Sequence, residues 1–457
     1  MDESGKQTHV LTDRHRPCVE KTEIHKKIEG GFLALQKLKP SDFFCKISPA
    51  NHLTASAIKY SNPQLEDPTT RKMGSNIMAT ILRSDLQHLI TYEPARITNA
   101  KSVSSYSWID TPTPTIAVPG SPPLWSPPII DHRLPKDTGL YYITENAVRL
   151  PGSPMAPLFT ALSITNPSFN VRSVDVISDR NNIRKLLSFI RPGTDGDVNE
   201  KFTIKLELVG KTLLLGRCET AVTRYIESNS FRGYGHEFEK AYTTNQIGGS
   251  TSHYGIVSYR FCGLNFLIRY QTDGFVSTQR ADSAREALLE RMEYPTPSSI
   301  NINPLTADPS LKEVMVLRKG HSVPLESILE IKTRTQVRSL EFDDVAPQLW
   351  VSQTSKLVRA FHAKGSFFKP LVEDVSAQLK KWELDSQEDL KKLGALIDAM
   401  ITVVKGCDGR GILRYDVAMG SLTFSRDEGN ERMLPEDLYS KWDEKKWWWW
   451  APCSTWC

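Results

Sequence analysis

The sequence predicts a mixed α/β fold, a mixed β-sheet flanked by helices, on three observations. Segments such as 202–216, 264–275 and 327–334 alternate apolar and polar residues with the period of a strand. Others, such as 179–190 and 387–405, repeat apolar residues with the period of a helix. The composition, 39% hydrophobic, 24% charged and 9% aromatic, is ordinary for a folded chain and excludes collagen-like, coiled-coil and wholly disordered classes. With 457 residues there is enough chain to bury a substantial core. Lys+Arg 57 against Asp+Glu 53 leaves a net charge of only +4, so a polyanion site must be a local cluster. The 7 cysteines are odd in number and form no CxxC pair, which suggests neither a disulfide framework nor a zinc site. No apolar run reaches the roughly 18 residues of a membrane-spanning helix. A soluble, unsecreted chain in a reducing compartment is expected, nuclear and/or cytoplasmic and without a membrane partner.

Taken in chain order, residues 1–100 carry only short apolar stretches, among them Ile77–Leu82, and are expected to form a peripheral N-terminal extension. The segment 111–135 is dense in proline, which fixes φ and removes amide donors, so it should run as an extended strap. Its Ile116, Val118, Leu124, Trp125, Ile129 and Ile130 suggest that it packs onto something. Asp179 is the expected N-cap of a helix whose Ile183, Leu186, Leu187 and Ile190 form one stripe, with Arg180 and Arg184 on the opposite face. Two strands are expected around Val209-Gly210-Lys211, a further one over 219–227, and a short helix from Gly235 or His236 carrying Glu239. In 264–275, alternation sends Phe266, Ile268 and Tyr270 to one face and Leu267, Arg269, Gln271 and Asp273 to the other. In 327–334 it sends Ile328, Glu330 and Lys332 to one face and Leu329 and Ile331 to the other. Between Asp273 and Glu330 lie 330 − 273 = 57 positions, far more than a hairpin needs, so an insertion is expected over about 281–325 with a helix at 281–292. Helical segments are expected near 347–363, near 371–382 and at 387–405, where Ser386 and Asp389 resemble a capping box. Strands over 411–424 should close a single domain over 101–440, before an irregular Trp-rich tail, 441–457.

The chemistry resides in those two strands. A carboxylate on one strand followed by Glu-apolar-Lys on another is the PD-(D/E)xK arrangement of metal-dependent nucleases. Hydroxide must attack a phosphorus shielded by anionic oxygens. Carboxylates therefore hold divalent cations that neutralise charge and acidify a water, and a lysine orients that water. Alone, Glu330-Ile331-Lys332 would as readily be a solvated ion pair.

Together with the Glu330–Lys332 strand, four further segments, in order, resemble the decapping exonucleases of the DXO type, across about 140–420. DRNNIRKLL matches that family's arginine before a Lys-Leu-Leu helix, with Arg180, Lys185, Leu186 and Leu187. GHEFE matches its Gly-x-x-Phe-Glu, with Gly235, Phe238 and Glu239. QTD, Gln271 to Asp273, stands where the family has Glu-apolar-Asp, and EIKT, Glu330 to Thr333, where it has Glu-apolar-Lys-Thr. LWVSQTSK supplies Trp350 and Gln353 for its Trp-x-x-Gln. The resemblance implies a Mg²⁺- or Mn²⁺-dependent hydrolase acting on RNA 5′ ends in decapping or 5′-to-3′ degradation, with no DNA specificity expected and an exoribonuclease as possible partner. It implies Glu239, Asp273, Glu330 and Lys332 as catalytic residues. The metal set would be Glu239, Gln271, Asp273, Glu330 and Ile331, and Arg180, Gln353 and Lys356 would bind substrate. Gln271 departs from the family, because an amide in place of a carboxylate lowers the charge offered to metal.

Two other readings follow from the same residues. The amide at 271 would suit a non-catalytic scaffold that binds RNA or stabilises a nuclease. The SPPLWSPP strap and the GHEFEKAYT run also resemble a fungal group sometimes labelled geranylgeranyl pyrophosphate synthase. That chemistry needs two DDxxD helices, whereas the single Asp pair here, Asp343-Asp344, continues as Val-Ala-Pro.

Overall fold

The computed structural model describes residues 59–60, 76–88, 94–130, 133–193, 200–230, 233–277, 313–429 and 431–443. The expected helix at 281–292 and nearly all of the Trp-rich tail lie outside these residues. Twelve of the described strands form one mixed sheet. Its centre runs Phe202–Val209, Thr212–Cys218, Val176–Asp179, Leu264–Thr272, Ser250–Phe261 and Thr98–Ile109. Val176–Asp179 pairs in parallel with both of its neighbours, while Leu264–Thr272 and Ser250–Phe261 form a long antiparallel pair. Arg410–Asp416 and Ser421–Ser425 extend one flank, and Thr115–Gly120 with Met315–Gly320 extend the other. Ile77–Leu82 pairs with Ser421–Ser425, so part of the expected peripheral extension is a strand of this sheet, with Ala79 and Ile81 buried.

Alternation along Leu264–Thr272 sorts the two cores. Phe266, Ile268 and Tyr270 meet the helices Arg180–Ile190, Phe342–Ser352 and Gln387–Lys405 on one face. Leu267 meets Trp108, Leu158, Phe159 and Leu214 on the other, where the helix Ala156–Thr165 packs. Met433, Leu434 and Tyr439 close that second core. Each fully buried Leu, Ile or Phe contributes roughly 1.5–3 kcal/mol. The sorted faces therefore outweigh the cost of the single charged residue in the strand, Arg269, once that charge is paired.

A smaller, seven-stranded sheet contains Leu124–Trp125, Gly274–Phe275, Ile328–Thr335 and Lys356–Ala363. The chain passes from the larger sheet to the smaller at Asp273, since Leu264–Thr272 belongs to one and Gly274–Phe275 to the other. The proline strap lies across this crossing. Phe275 N donates to Pro123 O at 2.9 Å, and a Cβ on Gly274 would stand only 3.0 Å from the same oxygen, so the residue there must be small. Ile116 and Val118 of the strap are buried, but Ile129 and Ile130 are exposed.

Three local expectations need correction. The segment 347–363 is not one helix: Phe342–Ser352 stops at Gln353, which takes a left-handed conformation with φ 55°, and Lys356–Ala363 is a strand. From Val358 on, buried Val358, Ala360 and His362 alternate with half-buried Arg359, Phe361 and Ala363, the period of a strand. Ser386 stands at the N-terminus of Gln387–Lys405 but its side chain makes no capping bond. Asp179 likewise leaves the helix Arg180–Ile190 uncapped by its side chain, because both carboxylate oxygens are held by Arg269.

Candidate active site

The crossing at Asp273 creates the site. Gly274 pairs with Leu329 and Phe275 with Ile328 in antiparallel register, which carries Asp273 alongside Glu330. Ile331 N donates to Asp273 Oδ2 at 2.8 Å and fixes that carboxylate against the next strand. Leu329 and Ile331 point into a core with Phe238 and Tyr242, so Glu330 and Lys332 face the other way, as alternation requires. Thr333 Oγ1 would lie 3.3 Å from a Cβ on Gly235, so the helix Gly235–Tyr242 meets this strand closely at its first residue. That helix brings Glu239.

Glu330 is 2% exposed and fully engaged. Its Oε1 accepts from Lys332 Nζ at 2.7 Å and from Gln348 Nε2, and its Oε2 accepts from Arg180 Nη1 at 3.0 Å. Burial alone would raise its pKa, but Lys332 and Arg180 hold it at about 2. Asp273 has the opposite balance. Burial and then the charge of Glu330 raise it to about 7 against the pull of Lys332, the Ile331 N–H and Arg180. Glu239 is raised well above the usual carboxylate range, by burial first and then by Asp273, with Glu330 and Asp137 adding and Lys332 opposing. Glu239, Asp273, Glu330 and Lys332 therefore share one electrostatic neighbourhood.

Hard carboxylate oxygens suit Mg²⁺ or Mn²⁺. Among the described residues no three His, Cys, Asp or Glu side chains form a cage for a metal ion. Mg²⁺ does not need one: it keeps waters and is commonly held by one or two carboxylates together with substrate phosphates. Two acids, Glu239 and Asp273, raised by burial first and by neighbouring carboxylate charge second, fit that description, because a cation beside them would stabilise their ionised forms.

On the other side of Arg180 lies a cleft of about 200 Å³ with the opposite character. Arg180, Arg184, Arg217 and Arg269 line it with Asn146, Asn181 and Tyr254. Arg269, 2% exposed, donates to both oxygens of Asp179, at 2.6 and 2.9 Å, and to Pro154 O at 2.7 Å. Burial works against its charge, and Asp179 more than restores it. Arg217 and Lys185 share Glu219, at 2.6 and 2.8 Å.

The remaining expected residues fall elsewhere. Gln271 is exposed and lines the arginine cleft, and no hydrogen bond joins it to the carboxylates among the described residues. Ile331 has a buried aliphatic side chain, so only its main chain could serve a metal. Gln353 folds back, its Nε2 donating to Trp350 O at 2.6 Å. Lys356 lies in register with Leu329, on the face opposite Glu330, and pairs with Asp374 at 2.7 Å. Three residues that the sequence did not single out complete the site. Gln348 donates to Glu330 from within a helix that is otherwise apolar at that depth, and Arg269 interrupts an apolar strand; both carry the signal of a polar residue in a buried stripe. Asp137, whose Oδ1 accepts from Glu237 N at 3.0 Å, gave no such signal, since it reaches across 100 positions.

Residues 90–438 match the model of a family described as a domain of unknown function (DUF8563). No curated protein matches the sequence. Among solved structures, S. pombe Rai1 is similar at 10% identity, covering 76% of this chain and 99% of its own, with a TM-score of 0.49. Scheffersomyces stipitis Rai1 is similar at 13% identity over 81% of this chain and 98% of its own, with a TM-score of 0.47. Candida albicans Rai1, solved in complex with pU5-Mn²⁺, is similar at 11% identity over 77% and 96%, with a TM-score of 0.44.

Proposed function

We propose that the chain, which belongs to the DUF8563 family, is a divalent-cation-dependent phosphodiesterase acting at RNA 5′ ends, either removing an incomplete or non-standard cap or degrading 5′ to 3′. The observation that carries the reading is the strand crossing at Asp273, which sets Asp273 and Glu330 beside Glu239 and Lys332, with the arginine cleft adjoining through Arg180. A phosphodiester needs both regions, cation-binding oxygens at the phosphorus and cationic groups for its own oxygens.

Glu239 and Asp273 would hold Mg²⁺ or Mn²⁺, which supplies charge neutralisation and a water of lowered pKa when bound. Glu330 keeps Lys332 and Arg180 in place: Lys332, 30% exposed at its side chain, is positioned to orient a water, and Arg180 to contact a phosphate oxygen. Arg184 and Arg217 extend that cationic surface away from the carboxylates. The preference for RNA is supported by the ordered match of five motifs to a family of RNA 5′-end enzymes.

The test is hydrolysis of capped, 5′-triphosphate, 5′-monophosphate and 5′-hydroxyl RNA with Mg²⁺ or Mn²⁺. Wild type should cleave at least one, and Glu330→Gln, which keeps the shape and removes the charge anchoring Lys332 and Arg180, should lose about a hundredfold or more. Absence of metal-dependent cleavage by wild type would sink the reading. One observation favours a second reading, a non-catalytic RNA-binding scaffold: position 271, a carboxylate in the family that the sequence resembles, is an exposed amide on the arginine cleft, so that strand supplies the site with Asp273 alone. An inactive wild type that binds RNA but no Mn²⁺ would establish it.

A further inference from the structure

His236 lies one turn ahead of Glu239 on the helix Gly235–Tyr242 and is exposed. Its imidazole lies flat on the ring of Tyr141, with centroids 3.9 Å apart and planes 14° from parallel. Lys240, one turn further on, holds its ammonium 5.8 Å from the centroid of the same tyrosine. The pair is braced from below. Tyr141 Oη donates to Thr138 O at 2.8 Å, and Asp137 accepts from Glu237 N, which ties the segment carrying Tyr141 to the first turn of the helix.

Tyr141 belongs to a two-stranded sheet, Gly139–Tyr142 with Thr223–Ile226, that is part of neither larger sheet. Its register sets Arg224 across from Tyr141, and Tyr225 across from Leu140. Arg224 is exposed, Tyr225 is 70% exposed and Leu140 44%. A ring stack serving only as core would be covered; in this one His236 is exposed and Tyr141 half-buried, Lys240 stands close by, paired with Glu237 at 2.7 Å, and Arg224 lies across the strand pair from Tyr141. A flat π-face beside cations is the recurring means of holding an unpaired nucleobase between its phosphates. His236 and Glu239 share a helix face and stand roughly 4.5 Å apart along its axis, so a base on His236 would neighbour a phosphate at the carboxylates.

We infer that the Tyr141–His236 stack is a base platform for single-stranded RNA, the nucleobase next to the reacting phosphate lying on the open face of His236 with Lys240 and Arg224 on the flanking backbone. This rests on the phosphodiesterase reading and adds that the substrate is unpaired at that position, because a paired base keeps both faces against its neighbours in the stack.

The test uses the full chain and 5′-phosphorylated single-stranded RNA carrying 2-aminopurine near its 5′ end, with divalent ions chelated so that nothing is cleaved. Binding to wild type should quench the fluorophore. His236→Leu and Tyr141→Leu should lose the quenching and bind about tenfold more weakly, and His236→Phe should retain both. An abasic RNA should bind wild type and His236→Leu alike, and blunt duplex RNA should bind wild type at least tenfold more weakly than the single strand. No quenching in wild type, or quenching unchanged in His236→Leu, overturns the platform while leaving the phosphodiesterase reading intact if wild type still cleaves RNA. A wild type that cleaves no RNA removes both.

Discussion

The two regions that meet at Arg180 handle charge in opposite ways. In the arginine cleft the lining groups are Arg180, Arg184, Arg217 and Arg269 against Asp179, a formal 4 − 1 = +3, yet the deepest of them, Arg269, is matched oxygen for nitrogen by Asp179. Across Arg180, Glu239, Asp273 and Glu330 face Lys332, a formal 1 − 3 = −2, and only Glu330 is matched. The buried pair in the cleft is structure. The acids beside it are raised by burial first and then by neighbouring carboxylate charge, and a cation there would offset both. A pair that neutralises itself fixes geometry, and a surplus that cannot do so marks where a ligand belongs.

The largest expected effect breaks the matched side. Asp179→Ala would strand the Arg269 guanidinium, 2% exposed, without its carboxylate, and removing one partner of a buried pair costs about 3–5 kcal/mol. Urea denaturation should show that loss, and adding Arg269→Met to Asp179→Ala should recover most of it by removing the stranded charge. A single Asp179→Ala variant of wild-type stability would mean that solvent reaches Arg269 and that the cleft is not built on this pair.

Next comes the unmatched side, where the sign of the pH dependence is opposite to that of an ordinary salt bridge. Asp273 has its folded pKa raised from 3.8 to about 7, so between those values the folded state binds more protons than the unfolded one. Stability of the metal-free protein should therefore fall as pH rises from about 4 to about 7. Glu239, raised in the same direction, adds to the fall. Asp273→Asn should flatten the Asp273 part of the slope, and Mn²⁺ should raise the melting temperature of wild type most at the alkaline end, where both acids are ionised. A melting temperature indifferent to both pH and Mn²⁺ over this range would show the acids to be solvated rather than crowded.

How much of this was legible beforehand follows the range of the interactions. Local periodicity located Arg180–Ile190, Gln387–Lys405 and both site strands, because amphipathic faces are written in spacing. Alternation also put Glu330 and Lys332 on one face and Leu329 and Ile331 on the other. It failed at Asp273, where the strand leaves one sheet for another, since period two holds only while the chain stays in one pleat. The pairing of Asp179 with Arg269 lay hidden behind a stronger local expectation, that an Asp before a helix caps it. Gln348 belongs to no motif, so its bond to Glu330 had no local signal beyond a polar residue in a buried stripe, and a motif does not say that the helix ends in a left-handed turn at Gln353, the residue expected to bind substrate.

The smallest expected effect sharpens the boundary between the two regions. Gln271 is the one position where the sequence falls short of a carboxylate, and Gln271→Glu restores the charge. If the side chain belonged with Asp273 and Glu239, another full negative charge at the ion would tighten Mn²⁺ binding by tenfold or more, since affinity at such sites follows the number of charged ligands. The side chain instead is exposed and lines the cleft beside Arg180 and Arg217. An added glutamate there would pair with guanidinium groups in solvent, an interaction of about 0–1 kcal/mol. Calorimetric titration should therefore give a Mn²⁺ affinity within about fivefold of wild type, with RNA binding weakened slightly because one arginine is now partly neutralised. A tenfold gain in Mn²⁺ affinity would place Gln271 with the carboxylates and make its amide, rather than the arginine cleft, the feature that limits this site.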